Sequence, residues 1–178
     1  CLAARGVPFR IVDRSGRAGG AYPVMYRGIT LASPTSMTPL PGLPPLTKNL
    51  YTTVPEYCEY LARYVERHDL ARTIERGEVT EIARDGEGEG SGFRVVIDRA
   101  PALARAVVVA TGMWGSPVKP DLETEIPSIH AGDWRGPSAH ADERIVIVGG
   151  ATSVVEIAEE LARAGRRVVV SARSGVKT

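Results

Sequence analysis

The most continuous pattern of apolar and polar positions runs from Arg144 to Arg173 and predicts a strand, a turn, a helix and a second strand. Ile145 to Val148 is an unbroken apolar run suited to a parallel strand buried on both faces, closed by Gly149 and Gly150. Val154, Ile157, Ala158, Leu161 and Ala162 then recur along one helical stripe, with Glu156, Glu159, Glu160 and Arg163 elsewhere, until Gly165 stops the helix. Val168 to Val170 form the returning strand, which a right-handed crossover lays parallel to the first.

Earlier in the chain the periods are shorter. Gly6 marks the end of a helix and Pro8 to Val12 a strand, so the chain is expected to begin inside a helix. Gly16, Gly19 and Gly20 mark a loop of special backbone angles or close ligand approach. Residues 30–48 are rich in proline and lack a period; they predict an ordered irregular loop whose Leu31, Met37, Leu40 and Leu43 are buried. A helix from Pro55 to His68 follows, capped by Thr53 with Glu56 three residues on, and Tyr57, Tyr60, Leu61, Tyr64 and Val65 form its packing stripe. Val79 to Ile82 and Phe93 to Ile97 predict a hairpin around the Gly86 to Gly92 turn. Ala106 to Ala110 predicts another buried strand, running into Thr111 and Gly112. Prolines 117, 120 and 127 stiffen a connection from Ser116 to Ile129, with His130 and Trp134 just beyond it.

Composition narrows the class. The chain has 178 residues, 43% of them hydrophobic, enough for a core. A net charge of +1 supplies no basic field for nucleic acid. The two cysteines, Cys1 and Cys58, are far apart and form no C-x-x-C pair or metal cluster. No apolar run approaches the ~20 residues of a membrane span, and a reducing cytoplasm is the expected location.

The glycine turn before the second helix carries the candidate chemistry. A helix opening there presents unpaired N–H groups and a positive dipole end to a pyrophosphate. Against G-x-G-x-x-G the chain has Gly149, Ala151 and Val154, so only the tight-turn glycine is kept, and Val154 is expected to push the helix away from its strand. Where an acidic residue would bond a ribose hydroxyl, the chain has Ser171, Ala172, Arg173 and Ser174. A guanidinium there can bond a 2′-phosphate, which favours NADPH over NADH. The bland alternatives are a buried βαβ unit without ligand and a solvated arginine. Asp13 closes the first strand in the place where an acid would hold a second ribose, so residues 1–13 read as the end of another dinucleotide unit whose glycine turn lies upstream of Cys1.

These pieces in this order resemble the flavin-containing monooxygenase family. AGGAY at Ala18 to Tyr22 is similar to the family's GG-x-W element beside the flavin, and TLASPTSMTPLPGLP to the loop passing near the isoalloxazine. VPEYCEYLARYVERHDL matches the helix after it. VVVATGMWGSPVKP, residues 107–120, is similar to the ATG segment leading into the NADPH domain. The second family fingerprint survives only as His130 and Trp134, and Ala32 stands where many relatives carry an oxygen-activating Asn or His.

The resemblance implies an α/β chain of two Rossmann-like three-layer nucleotide-binding domains, the second inserted into the first, truncated at both ends. Residues 1–115 would be a partial FAD domain and 116–178 a partial NADPH domain. Asp13 would hold the FAD ribose, Gly19, Gly20 and Tyr22 would flank the flavin, Thr111 and Gly112 of the ATG segment would be cofactor-binding, and Gly149, Gly150, Ala151, Thr152 and Ser153 would bind the NADPH pyrophosphate with Arg173 on its 2′-phosphate. The implied function is FAD-dependent and NADPH-oxidising: a monooxygenase acting with dioxygen on a small soft nucleophile or ketone through a flavin hydroperoxide. The alternatives are a flavoprotein reductase with a disulfide or electron-carrier acceptor, and a degenerate nucleotide-binding fragment without enzymatic activity. Catalytic side chains, substrate identity and homo-oligomer formation are not legible in the sequence.

Overall fold

The protein is described by a computed structural model that covers residues 2–26, 28–86, 88, 91–112 and 114–175. The thiol of Cys1, Met113 of the ATG segment and the three C-terminal residues of the expected NADPH domain lie outside the described residues, as do Glu87, Glu89 and Gly90 at the hairpin tip.

Among the described residues the architecture is α/β, built from four small sheets and two main helices. Ala3–Arg5 makes one 3₁₀ turn ended by Gly6 at φ +66°, which matches the expected helix terminus in a shorter form. Strand β1 (Ile11–Asp13) lies parallel to β4 (Ile74–Arg76), with Ile11 opposite Ile74 and Asp13 opposite Arg76. The intervening chain includes helix α1 (Val54–Arg67), so this is a crossover unit. β4 was not anticipated, because three residues are too few to display alternation.

The first part of the expected irregular loop is instead a strand, β2 (Thr30–Pro34), antiparallel to β3 (Tyr51–Thr53). The buried hydroxyls of Thr35 and Thr52 hydrogen-bond at 2.9 Å where the two segments meet. The rest of the loop is irregular and ordered. Its Leu40 N–H donates to the Tyr60 hydroxyl at 2.6 Å, which in turn donates to the Leu43 carbonyl at 2.9 Å. Leu31, Leu40 and Leu43 are half-buried as expected, whereas Met37 is 76% exposed, since the 3₁₀ turn Thr35–Met37 buries Thr35 instead.

The capping box of α1 is complete. Thr53 N–H donates to Glu56 Oε2 at 2.8 Å, and Glu56 N–H donates back to Thr53 Oγ1 at 3.4 Å. The Tyr60 ring is buried on the predicted stripe. Beyond it, β5 (Val79–Asp85), β6 (Gly92–Ile97) and β7 (Ala100–Ala104) form an antiparallel meander. The hairpin was expected; β7 was not, because its Ala-Pro-Ala-Leu-Ala run carries low strand propensity. It forms because Asp98 and Arg99 both take positive φ in a two-residue turn.

The strand expected at Ala106 to Ala110 is absent: these residues carry no ladder, and Val108 and Val109 are 84% and 68% exposed. No described strand runs beside them to accept and donate the ladder hydrogen bonds.

Strands β8 (Arg144–Val148) and β9 (Arg167–Ser171) pair in parallel around helix α2 (Thr152–Arg163), with Ile145 opposite Val168. The expectation of burial on both faces is overturned. Ile145 and Ile147 are half-buried but Val146 is 64% and Val169 61% exposed. α2 covers one face, and among the described residues no layer covers the other. Val154 and Leu161 of the predicted stripe are buried, Ile157 and Ala158 are half-buried, and Ala162 is exposed, since it turns away from the strands. Gly165 ends α2 as expected: its N–H reaches the Ala162 carbonyl and the Arg166 N–H reaches that of Leu161, each at 3.0 Å. No helix among the described residues is long and apolar enough to cross a membrane.

Candidate functional site

The glycine bend joins β8 to α2. Gly149 sits at φ +139°, a conformation that side chains rarely adopt, and its N–H donates to the Ser171 carbonyl at 2.9 Å. That amide therefore ties the bend to the end of β9 and does not face a ligand. Ala151 is the extended N-cap of α2 and supplies no side-chain cap, so among the described residues no side chain caps the first-turn amides at Thr152 and Ser153. At Gly150 a Cβ would lie 2.7 Å from the Gly175 carbonyl oxygen, so the chain after β9 folds back against the bend. Arg173 lies in that returning segment and is exposed.

Val154 does not push the helix away. It is 8% exposed, and its Cγ2 lies 3.1 Å from the point where a Gly149 Cβ would stand. The valine fills the space that the missing side chain leaves, so the close packing usually supplied by a third glycine is achieved from the other partner.

The second group of candidate residues surrounds β1. The Asp13 carboxylate accepts the Ser15 N–H on Oδ1 at 2.7 Å and the Ser15 hydroxyl on the same oxygen. Its backbone carbonyl accepts from Gly16 and Gly77. Gly19 and Gly20 take φ +111° and +52°, as the expected loop requires, and the Tyr22 N–H closes the turn onto the Gly19 carbonyl at 2.9 Å. The Tyr22 ring meets Tyr57 edge-on at 5.1 Å, and Tyr57 stacks on Tyr60. Tyr22 is thus seated on α1. Thr111 and Gly112 lie on the exposed segment after residue 110. The structure brings Gly149 to Ser153 together with the segment carrying Arg173, and Asp13 together with the glycine loop that precedes Tyr22.

A cleft that the sequence reading passed over lies between these groups, with about 460 Å³ of empty space counting its open mouth. Met25, Tyr26 and Ile29 line one side, Trp114 and Trp134 another, and Ser153, Glu156 and Glu160 of α2 the third. Burial, and then the charge of Glu160, raise the Glu156 carboxyl above its ordinary value. Burial, then the charge of Glu160 and a hydrogen bond to it, raise the Tyr26 hydroxyl. Trp134 is buried, donates Nε1–H to Glu160 Oε2 at 2.9 Å and stacks on His140 at 5.0 Å. His130 caps the adjoining 3₁₀ turn Ala131–Asp133, its Nδ1 accepting the Gly132 N–H at 3.0 Å. The available signal was the four-residue spacing of Glu156 and Glu160, which places two acids on one side of a helix beside its apolar stripe. Among the described residues no cluster of His, Cys, Asp and Glu has the makings of a metal site.

Comparison with known proteins follows the same lines. The sequence pattern of the pyridine nucleotide-disulphide oxidoreductase family matches residues 20–178. The indole-3-pyruvate monooxygenase YUCCA1 of Oryza sativa subsp. japonica is 28% identical over 99% of this chain, which spans 44% of that protein. The flavin-containing monooxygenase of Stenotrophomonas maltophilia superposes with a TM-score of 0.81 at 26% identity over 97% of this chain and 52% of its own. The bacillithiol disulfide reductase Bdr of Staphylococcus aureus superposes with a TM-score of 0.82 at 19% identity, over 99% of this chain and 53% of its own, a likeness of fold. The chain spans about half the length of the proteins it matches.

Proposed function

Because the chain belongs to the pyridine nucleotide-disulphide oxidoreductase family, we propose that it forms part of an FAD-dependent, NADPH-oxidising flavin monooxygenase acting on a small soft nucleophile or ketone with dioxygen. In this reading residues 1–115 contribute to the FAD domain and 116–178 to an NADPH domain inserted into it. Its support in the relatives comes from a rice monooxygenase and a bacterial flavin-containing monooxygenase.

The observation that carries it is the open end of α2. A helix that begins at an extended, uncapped Ala151 after a left-handed Gly149 leaves first-turn amides and the positive dipole end for an anion. The backbone of Ala151, Thr152 and Ser153 holds the pyrophosphate, and the Gly149 amide fixes the bend by binding β9. Arg173, exposed on the returning segment, bonds the 2′-phosphate through two donors. Asp13, with Ser15 already on Oδ1, takes the FAD ribose on its other oxygen, and Gly19, Gly20 and Tyr22 hold the flavin side of the loop. Thr111 and Gly112, on the exposed segment, would contribute to the cofactor site.

When bound, the flavin and nicotinamide supply the hydride and oxygen chemistry, and the chain's task is to hold them in register and exclude water. The apolar walls of the cleft, Met25, Ile29 and Trp134, perform the exclusion. Ala32 is exposed and carries no hydrogen-bonding side chain, so backbone groups do the polar work near it.

The test uses the full-length flavoprotein. NADPH added without oxygen should bleach the flavin spectrum, and admission of air with a sulfide or ketone should yield one oxygenated product per NADPH consumed. NADPH oxidation that yields only peroxide would overturn the monooxygenase reading, and oxidation that requires a disulfide or an electron carrier would select the reductase alternative.

A further inference from the structure

Three segments of the chain meet at one carboxylate, and nothing in the cofactor reading assigns that meeting a role. Glu160, on the third turn of α2, accepts the indole N–H of Trp134 on Oε2 at 2.9 Å. Its Oε1 stands 2.9 Å from the point where a Cβ on Gly28 would lie, and the Tyr26 ring borders that same point, so carboxylate and ring are neighbours. The Tyr26 ring is wedged between two glycines from distant parts of the sequence. A Cβ on Gly28 would lie 2.5 Å from Tyr26 Cε1, and one on Gly136 would lie 2.9 Å from the Tyr26 hydroxyl. Gly136 also takes φ +94°. Trp134 is 5% exposed and stacked on His140, so its indole is not free to reorient.

We propose that Glu160 is a positioning residue: its carboxylate joins Tyr26 of the loop after Gly20 to Trp134 and α2, and so sets the approach of the nicotinamide to the flavin. This rests on the nucleotide reading above. The physical ground is the division of the carboxylate between two neutral donors. Trp134 is held by its stacking on His140 and Tyr26 by the two glycines, so the carboxylate between them fixes both rings relative to α2. The glycines at 28 and 136 leave no slack for Tyr26 to follow if that group is lost. α2 presents the pyrophosphate site at its N-terminus and Glu160 two turns further on. A shift at Glu160 therefore rotates the nucleotide rather than releasing it. Displacement of reacting atoms by about 1 Å costs rate on the order of a hundredfold.

The experiment compares wild type, Glu160→Gln, Glu160→Leu, Tyr26→Phe and the control Glu159→Leu, whose side chain pairs with Arg163 on the exposed face. Each full-length flavoprotein is titrated with NADP⁺ by calorimetry and mixed with NADPH anaerobically to time flavin bleaching. Glu160→Leu should bind NADP⁺ within about threefold of wild type while bleaching on the order of ten- to a hundredfold more slowly. Glu160→Gln, which keeps an acceptor for Trp134, should recover most of the rate, and Tyr26→Phe should fall between. Should Glu160→Leu fail to fold, Tyr26→Phe carries the same split of rate from affinity. Bleaching at the wild-type rate in Glu160→Leu and Tyr26→Phe overturns the proposal alone, as does a loss of rate matched by an equal loss of affinity. A wild type that binds no NADP⁺ overturns the proposal together with the nucleotide reading beneath it.

Discussion

Gly149 and Val154 fit together because one of them has no side chain: a Cβ on Gly149 would lie 3.1 Å from Val154 Cγ2. The pair exchanges the roles found in G-x-G-x-x-G, where the last glycine admits the strand. Gly149→Ala is expected to destabilise the protein by about 1–3 kcal/mol, from the positive φ and the crowding together. Val154→Ala should cost about 1–2 kcal/mol as a small cavity. The double variant should be more stable than the sum by ~0.5 kcal/mol or more, since the crowding is then relieved. Chemical denaturation of all four proteins measures this; strict additivity would show that the two residues do not press on each other.

Arg173, just beyond β9, is the residue we propose reads the 2′-phosphate. Arg173→Ala should weaken NADPH binding by about 1.5–3 kcal/mol and leave NADH nearly unchanged. Calorimetric affinities for the two nucleotides check this, and an equal loss for both would move the phosphate site elsewhere.

Tyr60 holds the proline-rich loop through one hydroxyl. Tyr60→Phe leaves the Leu40 N–H without its acceptor and the Leu43 carbonyl without its donor, so a loss of about 1–3 kcal/mol is expected. Limited proteolysis should then cut between residues 40 and 48 faster than in wild type. Unchanged cleavage would mean that the prolines alone order the loop.

The α1 cap gives a pH dependence with a defined sign. The Thr53 backbone N–H foremost, then the Thr53 side chain, with smaller help from Thr47 and Asn49, hold the Glu56 carboxyl below its ordinary value. A depressed carboxyl contributes stability that is complete above its unfolded pKa and is lost as pH falls through its lower folded value. Wild type should therefore lose stability through and below the ordinary carboxylate range more steeply than Glu56→Gln. Parallel acid titrations of melting temperature for the two proteins decide it.

Elements with strong local signatures were legible in the sequence. The capping box at Thr53 and Glu56, the Gly165 stop and the hairpin from Val79 to Ile97 all depend on near neighbours, and all form as read. What failed depended on distant partners. The apolar run Ala106 to Ala110 reads as a buried strand, but its ladder needs a neighbouring strand that the described residues do not contain. Val146 read as core, yet like Val169 it stands on a face that no layer among the described residues covers. Among the site residues, the glycine bend was evident from spacing. Tyr26 and Glu160 were not, because their meeting joins segments more than a hundred residues apart. No local period records such a contact.

The central claim is that first-turn amides of α2 bind the pyrophosphate of NADPH. Thr152→Asp places a carboxylate at the first position of that helix, where it favours the dipole yet repels a phosphate. Calorimetry of NADP⁺ with this variant is the most direct test. A loss of affinity of at least about tenfold, with the melting temperature kept or raised, is the predicted result. Wild-type affinity in Thr152→Asp would contradict the account.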